Sequence, residues 1–94
     1  YPAVEHDLAI VVDNTVTCED LERRITSAGG KLLEGVRLFD VYRDPVRVGV
    51  GKKSMAFALT YRSDDHTLTS EEVEKAHQKI VTKVCKGVNG EVRG

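Results

Sequence analysis

A chain of 94 residues supports one small hydrophobic core and no second domain. At 40% hydrophobic and 31% charged residues it is too apolar to stay disordered, and it contains no unbroken apolar run long enough for a membrane helix. The formal net charge of −1 hides a gradient: the flanks carry an excess of acids, whereas residues 35–63 hold Arg37, Arg43, Arg47, Lys52, Lys53 and Arg62 against only Asp40 and Asp44. A positive patch can therefore form on a protein that is not basic as a whole.

Val4 to Val12 is apolar on both parities, as expected of a strand covered on two sides. Thr17, followed by Glu19 and Asp20, supplies a side-chain acceptor and early acids for a helix start. Leu21, Ile25 and Ala28 recur at helical spacing, and Gly29-Gly30 ends that helix. Leu32 to Arg43 has strand composition. After Asp44-Pro45 and the glycines at 49 and 51, Lys53 to Arg62 alternates strictly, with Met55, Phe57, Leu59 and Tyr61 on one face and Ser54, Ala56, Ala58, Thr60 and Arg62 on the other. The two strands form a hairpin.

Thr69-Ser70-Glu71-Glu72 predicts a capping box, and Val73, Ala76, His77, Ile80, Val81 and Val84 mark one face of the helix behind it. Lys79, Lys83 and Lys86 suit its C-terminal half, and Gly87 is read as its end. Glu91-Val92-Arg93 is long enough for a short edge strand. The order β-α-β-β-α-β predicts an α+β, ferredoxin-like fold: a four-stranded antiparallel sheet with two helices on one face. The predicted core comprises Leu8, Ile10, Leu21, Ile25, Phe57, Leu59, Val73, Ile80 and Val84. The opposite face, lined on the third strand by Ser, Ala and Thr, is left for water or a ligand.

Catalytic and metal motifs are missing from the sequence. His6, His66, His77, Cys18 and Cys85 have no metal-ligand spacing, and no metal site is expected. Gly49-Val50-Gly51-Lys52-Lys53-Ser54 fails as a phosphate loop, because Val46 stands where its first glycine should be and Lys53 stands where Ser or Thr should follow the lysine. The loop after the first strand lacks the arginine of a small phosphatase and the glycines of an amino-acid-binding regulatory domain. Binding of an amino acid or a protein partner by a regulatory domain of this topology is the alternative reading. Two widely separated cysteines imply reduced thiols and a cytoplasmic setting. A start at Tyr1, with no leader-like segment, implies a piece of a longer protein without a signal peptide. Because the aromatics of the third strand share the parity of the core, base stacking along that strand is not expected, and the basic border favours phosphate contacts.

Five segments in order resemble the ferredoxin-fold anticodon-binding domain at the C-terminus of the bacterial phenylalanyl-tRNA synthetase beta subunit. They are Tyr1-Pro2-Ala3-Val4 with Asp7-Leu8, Leu38 to Arg43, Gly51 to Phe57, Thr67 to Val73, and Gly90-Glu91-Val92-Arg93-Gly94. The resemblance covers residues 1–94 and implies a tRNA-binding module, not itself an enzyme, that contacts the anticodon stem-loop of tRNA(Phe). It places aminoacylation, with ATP, magnesium and phenylalanine, in the companion alpha subunit, and implies no cofactor in this domain. Carried onto this chain, it implies an RNA-contacting set of Arg43, Lys52, Lys53, Ser54, Arg62 and Arg93, with His6 beside them. His6 and His66 stand where the family commonly has arginine, exchanging a permanent cation for one mostly neutral at pH 7.

Overall fold

A computed structural model describes residues 1–92, so Arg93 and Gly94 lie outside the described residues. Its elements are β1 (Val4–Asp13), α1 (Cys18–Gly29), β2 (Leu33–Tyr42), β3 (Lys52–Tyr61), α2 (Ser70–Val88) and β4 (Glu91–Val92). The sheet is antiparallel, in the order β2-β3-β1-β4. The ferredoxin-like α+β arrangement expected from the sequence is the one observed.

Local chemistry explains both helix starts. Thr17 accepts from the Asp20 amide, and Thr69 and Glu72 form the reciprocal capping box, satisfying N–H groups that a helix leaves without partners. Gly30, at φ 63, closes α1. The expected stop at Gly87 is not observed. The α2 helix runs on to Val88, and Asn89 provides the left-handed cap at φ 54, donating its amide to the Cys85 carbonyl. Asparagine tolerates that conformation, so a glycine was not needed there.

All nine predicted core residues are buried on the helix side of the sheet. They are joined by Val12, Met55, Tyr61 and Leu68, so one parity of β1 and one of β3 pack against the inner stripes of α1 and α2. The other parity faces away from the helices. Strand β2 departs from strict alternation twice, at register shifts between Leu33 and Gly35 and between Leu38 and Asp40. Each shift sets two residues of β2 against one of β3, which is a β-bulge. Among the described residues no buried side-chain nitrogen or oxygen lacks a hydrogen-bond partner.

Candidate nucleic-acid interface

The uncovered face is built from Lys52, Ser54, Ala56, Ala58, Thr60 and Arg62 of β3 and the odd positions Glu5 to Asp13 of β1. Ser54 and Ala58 are only 3% and 4% exposed, although no helix covers them, because small side chains sit below the level of their neighbours. The centre of the face is thus a shallow floor, with Ala9 paired to Ala56 and Val11 paired to Ser54.

The bulges in β2 raise a wall along this floor. Tyr42 pairs with Ser54 and Arg37 with Ala58, so both side chains project from the uncovered face. Phe39 and Asp40 stand together opposite the single residue Ala56, and Phe39 remains 48% exposed while Leu38 packs on the core. The Tyr42 hydroxyl donates to Asp44 Oδ2 at 3.0 Å, fixing the ring at the mouth of the β2–β3 loop. Asp44 Oδ1 also accepts from the amides of Val46 and Arg47, so one carboxylate organises both the ring and the turn. The result is a floor of small side chains flanked by aromatic rings and a carboxylate.

The residues expected to contact RNA do not all share this face. Ser54 forms its floor. Lys52 and Arg62 lie at opposite ends of it, each held by an acid: Lys52 Nζ is 3.1 Å from Asp13 Oδ1, and Arg62 Nη1 is 3.3 Å from Glu34 Oε1. Arg43 is exposed beside the loop mouth. Lys53 has the parity of Met55, so it turns to the helix side, where it is 7% exposed and donates to the Asn14 carbonyl at 3.1 Å. His6 also turns to the helix side, stacking on His77 with ring centroids 3.9 Å apart and donating from Nδ1 to the Asp7 carbonyl. Lys53 and His6 therefore lie on the opposite side of the sheet from the uncovered face, because β parity decides which side a side chain occupies. Arg93 lies outside the described residues.

Charge on this face is mixed. Among the described residues of the uncovered face, Arg37, Lys52 and Arg62 are outnumbered by Glu5, Asp7, Asp13, Glu34, Asp40 and Glu91. Of the cations of the 35–63 segment, Arg37, Arg43, Arg47 and Lys53 make no ion pair among the described residues, and Lys53 is the buried one. Sequence reading missed Arg37, Phe39, Asp40 and Tyr42 because it judged the face from β3 alone. A signal was present: Val36, Leu38 and Val41, whose register places them on the helix side, are spaced by two and then three, a break in period that marks a bulge.

Two histidines titrate in opposite senses. Burial, with the neighbouring His6, pushes His77 below its ordinary value. Burial also pushes Tyr61 up to about 12, so its hydroxyl keeps its proton and donates to His77 Nδ1 at 2.9 Å. Glu72 and Asp65 raise His66, whose Nε2 lies 2.7 Å from Glu72 Oε2. Stability linked to His77 is present above the unfolded value near 6.5 and lost as pH falls from there through the lower folded value; that linked to His66 is gained below 6.5 and lost as pH rises through its higher folded value. Thermal melts from pH 7 to 5 should therefore show a flatter acid loss in His77→Gln and a steeper one in His66→Asn. Identical slopes in both variants would contradict this assignment.

Among the described residues no three His, Cys, Asp or Glu side chains converge as metal ligands, and no helix is long and apolar enough to cross a membrane. A bulged sheet face with a small floor and an aromatic wall, backed by two helices, defines the chain as a ferredoxin-like module with one uncovered sheet face. Comparison with protein families matches residues 1–93 to the ferredoxin-fold anticodon binding domain, and the chain belongs to that family. It is 44% identical over 93 residues to the phenylalanine–tRNA ligase beta subunit of Clostridium tetani, covering 99% of this chain and 12% of the relative. Identity to the same subunit of Symbiobacterium thermophilum is 48% over 93 residues, 99% of this chain and 10% of the relative. With that of Bacillus subtilis it is 52% over 81 residues, 86% of this chain and 10% of the relative. The chain thus spans about a tenth of the length of these relatives.

Proposed function

We propose that this chain is the anticodon-binding domain of a cytoplasmic phenylalanine–tRNA ligase beta subunit and holds the anticodon stem-loop of tRNA(Phe) on its uncovered sheet face. Residues 1–94 act as one RNA-binding unit with no catalytic residue and no cofactor of its own. Aminoacylation, with ATP and magnesium, belongs to the alpha subunit of the parent enzyme. The names of its relatives and its family membership support this reading.

The single observation that carries the location is the small floor at Ser54 and Ala56 beside Tyr42 and Asp40. An unpaired base of the loop can lie on that floor and stack against Tyr42, while the Asp40 carboxylate accepts from a base N–H and the Ser54 hydroxyl completes the contact. Arg37 and Arg43 reach the flanking phosphates. With Lys52 and Arg62 already paired to acids, stacking and hydrogen bonds carry more of this binding than the charge count suggested.

The experiment is fluorescence anisotropy of the 94-residue chain with two stem-loops of identical stem, one bearing the phenylalanine anticodon loop and one a scrambled loop. Tighter binding of the first is the expected result, since the stems contribute equal phosphate contacts. Equal affinity for the two would overturn the reading.

A further inference from the structure

The largest group of unpaired cations lies on the other side of the molecule. Lys75, Lys79, Lys83 and Lys86 are spaced by four, four and three residues along α2, so they form one stripe, and all are exposed. At 1.5 Å per residue the stripe is about 16 Å long. None of the four makes an ion pair among the described residues, whereas Lys52 and Arg62 on the sheet both do. The acids of α2, Glu71, Glu72 and Glu74, are confined to its N-terminal end.

Helix α1 borders this stripe with Arg23 and Arg24, both paired to Asp20. Arg24 Nε is held 3.0 Å from Asp20 Oδ2, and its guanidinium lies over Gly87 of α2, where an added Cβ would stand 2.5 Å from Nη1. Two adjoining grooves open along the α1–α2 seam. The first is lined by Arg23, Arg24, Ser27, Ala28, Lys83 and Val84, and the second by Ala28, Gln78, Lys79, Thr82, Lys83 and Lys86. Neither lining contains a carboxylate.

We propose that the α1–α2 seam is a second RNA surface, which takes the sugar–phosphate backbone of double-helical RNA. The straight line of cations, joined by hydroxyl and amide donors, complements a rigid phosphate backbone. No aromatic side chain is present to stack an unpaired base, so shape and charge are what the seam reads. An acidic protein partner would bring apolar anchors, yet the large exposed hydrophobics Tyr1, Phe39, Val41, Val46, Val50 and Val92 all lie off the helices. The seam and the uncovered sheet face point in opposite directions, so the duplex held here is a different stretch from a loop held on the sheet. The proposal stands independently of the sheet-face reading.

The test is binding of a blunt RNA duplex without a loop to the 94-residue chain over a range of salt, with circular dichroism to confirm folding of each variant. Lys79→Ala with Lys83→Ala and Lys86→Ala should weaken binding at least tenfold at low salt. Loss of three phosphate contacts should reduce the slope of log affinity against log salt by about 2 to 3. The three corresponding Lys→Arg changes should retain binding, and Tyr42→Ala should leave duplex binding unchanged. Failure of the wild-type chain to bind duplex would overturn the proposal, as would an unchanged slope in the triple alanine variant. Loss of duplex binding in Tyr42→Ala would move the duplex to the sheet, and tight binding of polyglutamate without binding of duplex would make the partner an acidic protein; either result overturns it.

Discussion

Phe57→Ala is expected to lower the unfolding free energy by about 3 to 5 kcal/mol. Phe57 is fully buried at the middle of β3, paired with Leu8 on one side and Leu38 on the other, beneath both helices. Truncation removes the transfer energy of the ring and leaves a cavity that two hydrogen-bonded strands cannot close. Domains of this kind have roughly 5 to 15 kcal/mol of stability in all, so a large fraction is lost. At about 4 to 8 °C per kcal/mol the thermal midpoint should fall by at least about 12 °C. Phe57→Leu should cost much less, because most of the volume is retained. A calorimetric midpoint within a few degrees of wild type for Phe57→Ala would show that β3 does not bury this parity.

Tyr42→Ala should reduce affinity for the anticodon stem-loop by about 1 to 3 kcal/mol, the range for loss of one base–aromatic stack. That corresponds to roughly five- to 150-fold in Kd. The ring is half-buried on the uncovered face, and its hydroxyl donates to Asp44. Tyr42→Phe should therefore keep most of the affinity, since the ring survives and Asp44 still binds the amides of Val46 and Arg47. Titration by anisotropy at fixed salt distinguishes the two variants. Equal losses would assign the effect to the turn, and no loss in either would remove Tyr42 from the interface.

The sequence specified most of the core and less of the surface. Alternation in β3 identified Met55, Phe57, Leu59 and Tyr61 correctly, because a central strand against two helices must keep period two. The Thr69–Glu72 box was legible because its chemistry is contained within four residues. The face opposite was harder to read. An edge strand can admit bulges at little cost, and the two in β2 moved Phe39, Asp40 and Tyr42 out of the places a regular pleat would assign.

Charge was the least legible property. The lysine pair Lys52-Lys53 looked like one basic turn, but adjacent residues of a strand project to opposite sides. Lys52 pairs with Asp13 on the uncovered face, and Lys53 is buried near the Asn14 carbonyl. Ion pairs such as Arg62 with Glu34, 28 positions apart in the chain, cancel charges that a segmental count keeps separate. The lysines of α2 show the converse, because a helical period of about four keeps them on one side without acids between them.

The central claim is that the uncovered sheet face receives the anticodon loop. Amide chemical-shift mapping of the isotopically labelled chain during titration with the tRNA(Phe) anticodon stem-loop tests it most directly. The largest changes are expected at Arg37, Asp40, Tyr42, Ser54 and Ala56. Unmoved resonances at these five positions, in a complex that forms, would contradict it.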